Sequence, residues 1–305
     1  MILITGCTGY IGEHLAKSLL DLGMTVRGLV LPREIGKAAK LVEMGMDIWC
    51  GDLLLPETLR GITHGVTTIY HLAGIHTSSV NTMRNLYVQG AINLVEACST
   101  CTSLELCVIA SNGSAYGDGG EQWLFEDDYV PLSIHPFGMI SQEMEHVFQA
   151  AYSTSRLPCV ILRIADVYGL GLHNLVQSFR SQEMHVIGNG QNWTSHIHLQ
   201  DLITILLMCA HLQRGAIYNV VDDQPVLSQE FYNYIAQQAA VPPPKWIPFE
   251  HVAERIKLSV HGLRSFSIRL SNAKLKARIP LSLQYPTYVE GIQSLLRELP
   301  QYPFY

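Results

Sequence analysis

The sequence predicts an α/β fold, a doubly wound parallel sheet followed by a smaller, loop-rich α/β domain. Three observations carry that expectation. Short β-branched runs alternate with amphipathic helical patterns through the first half, the rhythm of parallel strands joined by right-handed crossover helices. A strand, a glycine-rich turn and a helix open the chain over residues 1–23. From about residue 169 the rhythm turns irregular, with loops, short helices and the proline run "VPPPKWIP" at 241–248. That change places a second domain over the carboxyl ends of the strands, where open α/β sheets hold ligands. The expected division is 1–168 for the first domain and 169–305 mainly for the second, with segments around 196–222 returning to the first.

In chain order, "MILIT" (1–5) reads as a buried strand and "IGEHLAKSLLDLG" (11–23) as a helix closed by Gly23. The strand "MTVRGLV", the helix "EIGKAAKLVEMG" and the strand "MDIWC" follow, then a short helix after Pro56 and the strand "VTTIY" (66–70). A long helix around 81–100 leads to the strand "LELCVIA" (104–110). A helix starting at Pro136, within "SIHPFGMISQEMEHVF" (133–148), precedes the strand "PCVILRI" (158–164). No internal repeat or low-complexity linker interrupts this series.

Bulk properties narrow the partners. With 48% hydrophobic and 15% charged residues there is no room for a disordered majority. A net charge of −6 and no clustered basic run give no reason to expect nucleic acid. The start of the chain lacks the basic segment and apolar stretch of a signal peptide, and "LITILLMCA" (202–210) falls far short of the ~20 residues of a membrane span. Seven scattered cysteines fit a reducing cytoplasm, and the lone C-x-x-C of Cys98 and Cys101 lacks the second pair of a metal site. A cytoplasmic protein with a small-molecule substrate and no metal is expected.

"ITGCTGYIGEHLA" sets Gly6, Gly9 and Gly12 directly after a strand and at the start of a helix. The spacing, G-x-x-G-x-x-G, is one residue wider at its first step than the commonest dinucleotide fingerprint, but the physics is shared. Glycines let the backbone turn tightly and approach a pyrophosphate, whose charge meets free N–H groups at the helix N-terminus. Gly6, Thr8, Gly9, Tyr10, Ile11 and Gly12 are therefore the expected cradle of a Rossmann-type dinucleotide site.

At this point the chain resembles the extended short-chain dehydrogenase/reductase family, the NAD-dependent epimerase/dehydratase type, nearly end to end. "TGCTGYIG" resembles its TGxxGxxG loop, "CGDLLLPETL" its G-D-L segment and "YHLAGI" its H-L-A-A strand end. The resemblance implies that Asp52 and Leu53 flank the adenine, with Leu72, Ala73 and Gly74 along the cofactor. "ILRIADVYGLG" resembles R-x-x-N-V-Y-G, and "IGNGQNWTSHIHLQDL" the G-D-G…V-H-V-D-D-L stretch, retaining His198 and Asp201. "GAIYNVVDDQPV" and "LSNAKLKARI" resemble two late segments. Family members often dimerise through the two long helices, here about 81–100 and 136–152, so a homodimer is implied. As for cofactor choice, an acid at the end of the second strand would favour NAD, but Val30 and Leu31 stand there. Arg33 could meet a 2′-phosphate, which favours NADP over NAD.

The resemblance also implies a catalytic Tyr and Lys four apart in a Y-G-x-S-K pattern, with a hydroxyl residue from the preceding strand loop. The chemistry is demanding. A phenol working near pH 7 needs its pKa lowered by roughly 3 units, about 4 kcal/mol, and a neighbouring ammonium on the same helix face is the natural source. This chain departs at all three positions: "FGMIS" puts Phe137 for Tyr and Ser141 for Lys, and "SNGSAYG" puts Asn112 for the hydroxyl residue. A fourth departure sets Tyr87 in "NLYVQGAINLVEAC" where the family has Asn near the lysine, either compensating lost volume or supplying a relocated phenol.

Other candidates are open to both structural and functional readings. Asn112 can hold a carbonyl without moving a proton. His135, just before the altered helix, is an acid/base candidate or a capping residue. Tyr116, at the family's Y-G position, reads as a wall residue, His173 as a substrate-loop residue or a solvated one, and the resemblance makes His198, two residues after His196, structural. Two functions remain. One is an atypical enzyme on a small organic or sugar-like substrate, working by non-standard hydride transfer or redox-neutral isomerase-, lyase- or cyclase-like chemistry. The other is a non-catalytic NAD(P)-binding sensor or partner subunit. The retained substrate-side segments favour the first.

Overall fold

Ile2, Leu3 and Ile4 are all buried, so the first strand must be covered on both faces, which only an interior strand of a two-sided sheet achieves. The structure, a computed structural model, describes residues 1–75, 77, 79–128, 130–170, 185–257 and 265–298. Its first half runs β1 (Ile2–Thr5), α1 (Tyr10–Asp21), β2 (Val26–Val30), α2 (Ala39–Glu43), β3 (Asp47–Cys50) and β4 (Thr68–His71). Then come α3 (Val80–Arg84), α4 (Gly90–Cys98), β5 (Leu106–Asn112), α5 (Pro136–Ser155) and β6 (Cys159–Ile164). Later, α6 (Leu199–Met208) leads to β7 (Ile217–Val220).

The seven strands form one parallel sheet in the order β7-β6-β5-β4-β1-β2-β3. The chain leaves β3 at one edge and returns beside β1 as β4. The strand order therefore reverses between β1 and β4, the switch point at which such sheets open a crevice beyond their carboxyl ends. Leu15, Leu19, Val108, Leu162, Leu202 and Leu206 fill one face, and Leu3, Ile69, Leu94, Ile109, Phe148 and Ile161 the other. A separate core, with Phe231, Ile235, Ile292 and Leu295, sits under the later helices Ser228–Ala239 and Tyr288–Glu298.

Two expected helices differ from their sequence pattern. "EIGKAAKLVEMG" begins as a 3₁₀ run, Pro32–Ala38, and only α2 is α-helical. Pro32 suits its first turn and Gly36 weakens a continuous α-helix there. The long helix around 81–100 is broken between α3 and α4 by a π-helical turn, Asn85–Gln89, a feature frequent at functional sites.

Later segments are stitched back to the sheet. Arg269–Leu270 pairs in parallel with Trp123–Leu124, and the Asn219 amide on β7 donates to the Leu124 and Ser271 carbonyls. On α6, the Asp201 carboxylate accepts the backbone N–H groups of Gln284 (2.7 Å) and Tyr285 (2.9 Å). Burial raises the Asp201 pKa while these two bonds oppose the rise. Among the described residues no helix is long and apolar enough to cross a membrane.

Candidate functional site

The site begins where β1 ends. Gly6 takes φ +75° and lies under the β4 loop; a Cβ there would stand 2.7 Å from the Leu72 carbonyl oxygen. A Cβ on Gly12 would overlap the Gly6 carbonyl, and the Gly9 N–H donates to that same oxygen at 3.0 Å. Gly9 caps α1 without any side-chain hydrogen bond, so no side chain competes for the amides of the first turn. A tight glycine turn at the positive end of a helix is what a diphosphate requires, and the residues present fit one.

The flanking positions lie around this turn. Thr8 donates through Oγ1 to Glu34 Oε2 at 3.2 Å, and Tyr10 donates through its hydroxyl to the Leu170 carbonyl at 2.8 Å. Ile11 packs against the core. The Ala73 N–H reaches Thr5 Oγ1 at 3.4 Å, and Thr5 Oγ1 lies 2.8 Å from His71 Nδ1. Asp52 Oδ1 accepts the Leu54 N–H, and buried Leu53 offers its carbonyl to the Asn93 amide. Arg33 is exposed.

Phe137 and Ser141, expected at the positions of the family's Tyr and Lys, lie at the start of α5. Gly138 lets that helix close on the Gly113–Tyr116 turn, since a Cβ there would overlap the Ser114 carbonyl. Phe137 is 6% exposed and meets Tyr87 edge-on, ring centroids 5.7 Å apart, amid Met83, Ile140, Ile75, Val80 and Val88. Ser141 is 2% exposed, and its hydroxyl donates back to the Phe137 carbonyl at 2.9 Å. The Tyr87 hydroxyl accepts the Ile75 N–H at 3.3 Å beside Gly74, and burial raises its pKa. Asn112 uses its amide oxygen to cap the turn after β5, accepting the Ser114 N–H at 2.7 Å. His135 caps α5: Nδ1 accepts the Phe137 N–H at 3.2 Å, and Nε2 lies 2.9 Å from the Lys257 carbonyl, which suits a neutral ring with its proton on Nε2.

Away from these positions, Lys17 pairs with Glu13, Lys37 with Glu34, Lys274 with Asp127 and Lys276 with Asp223. Further along α5, Glu145 forms a buried two-point ion pair with Arg163 (2.7 and 3.1 Å), and Ser111 donates to the same carboxylate. The Arg163 guanidinium lies 4.3 Å over the Tyr116 ring, whose hydroxyl donates to Asn219 Oδ1. His196 stacks on Phe231, and His198 caps α6 by accepting the Gln200 N–H. The Cys101 thiol donates to the Thr63 carbonyl, and Cys98 is a buried free thiol. His173 lies outside the described residues.

The family model described as the NAD dependent epimerase/dehydratase family matches residues 2–221. The uncharacterized UDP-glucose epimerase YtcB of Bacillus subtilis is 29% identical over 238 residues, 69% of this chain and 73% of that protein. Among solved structures, DesIV, a dTDP-glucose 4,6-dehydratase of Streptomyces venezuelae with NAD and TYD bound, superposes with a TM-score of 0.82 at 19% identity, covering 97% of this chain and 95% of that one. The UDP-glucose 4-epimerase of Thermotoga maritima, solved with UDP-glucose, gives 0.81 at 18% identity and 97% coverage of both. At such identities the structural likeness speaks for the fold.

Proposed function

The chain belongs to the NAD-dependent epimerase/dehydratase family, and on that premise we propose that it binds a nicotinamide dinucleotide as a sensor or partner subunit, without the phenol–ammonium relay. The observation that carries this reading is the start of α5. Phe137 has no proton to exchange and is sealed in an apolar cluster, and Ser141 spends its hydroxyl on its own helix. The neighbouring polar groups hold backbone as well: the Asn112 amide oxygen and His135 Nδ1 cap turns, and the Tyr87 hydroxyl accepts a backbone N–H. The sequence alone favours an atypical enzyme. These commitments move the balance to recognition.

A bound nicotinamide supplies a hydride acceptor or donor, but moving a hydride to or from an alcohol or ketone also needs a group that moves a proton. Such a group typically contributes about 10²–10⁴-fold. One observation keeps the enzyme reading as the second: Tyr87 sits in the π-helical turn with its hydroxyl at Gly74, beside the expected cofactor path. Since two similar proteins are named for UDP-glucose or dTDP-glucose chemistry, sugar nucleotides are the substrates to try first.

The test loads the purified chain with NAD, adds UDP-glucose or dTDP-glucose, and follows nicotinamide absorbance together with sugar products by NMR. The binding reading predicts no cofactor reduction and no new sugar. A product formed by the native chain and lost in Tyr87→Phe would replace it with the enzyme reading.

A further inference from the structure

We propose that Arg269, clamped between the Trp123 and Trp193 rings, is a receptor for a small oxyanion, a carboxylate or a phosphate, at a site separate from the glycine turn. In the short ribbon where Arg269–Leu270 pairs in parallel with Trp123–Leu124, Arg269 lies beside Trp123 and Leu270 beside Leu124. Successive side chains of a strand point to opposite faces. Leu124 and Leu270 are buried, and Leu270 packs against Gly113 in the turn after β5. The other face therefore carries Trp123, 41% exposed, together with half-buried Arg269.

The second ring arrives from a different segment. Trp193 accepts the Ile268 N–H on its carbonyl at 2.8 Å and donates its own backbone N–H to Ser267 Oγ at 3.0 Å. Its indole N–H donates to Glu121 Oε2 at 2.9 Å, so that carboxylate fixes the ring. Arg269 Cζ then lies 4.3 Å from the Trp123 ring centroid and 3.8 Å from that of Trp193. Each ring face attracts the cation, but neither uses its hydrogen-bonding capacity. Among the described residues no ion pair or hydrogen bond reaches this guanidinium, and its Nε is buried without an acceptor. Arg27, Arg84 and Arg163 by contrast each hold a carboxylate.

A methionine would fill the gap between two indoles without leaving a cation unmet. With both faces of the guanidinium covered, a partner can approach only in its plane, along the edge that stays open to solvent. That edge is a rigid fork of N–H donors, matched to the paired oxygens of a carboxylate or phosphate. The rings hold the fork in place beforehand, so little side-chain freedom is lost when an anion docks.

The experiment follows the indole N–H signals of the isotope-labelled full chain by NMR while succinate or, separately, inorganic phosphate is added at constant ionic strength, with chloride as the control. Of the four tryptophans, Trp123 and Trp193 should shift saturably, and Trp49 and Trp246 should stay in place. The tighter of the two anions names the ligand as carboxylate or phosphate. Arg269→Gln should abolish the saturable shift. Arg269→Lys, which keeps a cation between the rings but loses the fork, should weaken binding at least about tenfold. Melting temperatures near the native value check that the variants fold, and the lysine variant carries the test should the glutamine one not. Shifts no larger than those with chloride, a response confined to Trp49 and Trp246, or saturable binding that survives either variant unchanged would overturn the assignment.

Discussion

Residue 137 carries a phenyl ring without a hydroxyl, and its apolar surroundings close on it. Phe137 packs where a reactive hydroxyl would need room, and Tyr87 turns an edge onto it. The Tyr87 hydroxyl accepts the Ile75 amide N–H. Tyr87→Phe should therefore cost about 1 kcal/mol of stability in urea unfolding, the net worth of one ordinary hydrogen bond, and leave NADH affinity within about twofold. A loss above about 3 kcal/mol would mean the phenol does more than serve that amide. At this scale the sequence located Phe137, Ser141 and Asn112, since register along a helix and a strand end follows from spacing. It could not show where Ser141 and His135 send their hydrogen bonds.

Between elements, the join of α5 to β5 and β6 depends on one buried charge pair. Glu145 on α5 meets Arg163 on β6 through two hydrogen bonds and takes the Ser111 hydroxyl from β5. Removing one partner strands the other charge in the core. Glu145→Ala is expected to cost about 3–5 kcal/mol in urea unfolding. A cost under about 1 kcal/mol would show that water reaches Arg163 and relieves it. The strands were legible from their apolar runs, because burial on both faces leaves no other pattern. The π-helical turn at Asn85–Gln89 and the 3₁₀ start at Pro32 were not, since so few residues are too short a run for the sequence pattern to separate the three helical periods.

At the scale of the whole molecule, the alternation of strands and helices was readable from the order of segments. The later stitching was not, because Asn219 and Asp201 reach partners far away in sequence. The same tight packing gives the fold a pH signature. Asp222 is buried just beyond β7, and desolvation, together with Asp223, Asp201 and Glu290, pushes its pKa from an ordinary 3.8 up to about 8. The folded state then keeps a proton that the unfolded chain releases, so this group lowers stability as pH climbs from about 4 to about 8, by at most about 1.4 kcal/mol per unit. His71 and His198, pushed down to about 4 by burial, act in the opposite sense between there and 6.5, since the unfolded chain takes up protons that the fold refuses. Stability should thus decline between pH 6.5 and 8 in the native chain and hold level in Asp222→Asn, as chemical denaturation across that range would read. An equally steep decline in the variant would place the effect elsewhere. The most direct test of the account is a titration with NADH against the native chain and Gly12→Ala, whose added Cβ would overlap the Gly6 carbonyl and spoil the glycine turn. The account predicts saturation at one nucleotide per chain and its loss in the variant. An absence of saturable binding in the native chain, or binding that survives Gly12→Ala unchanged, would contradict it.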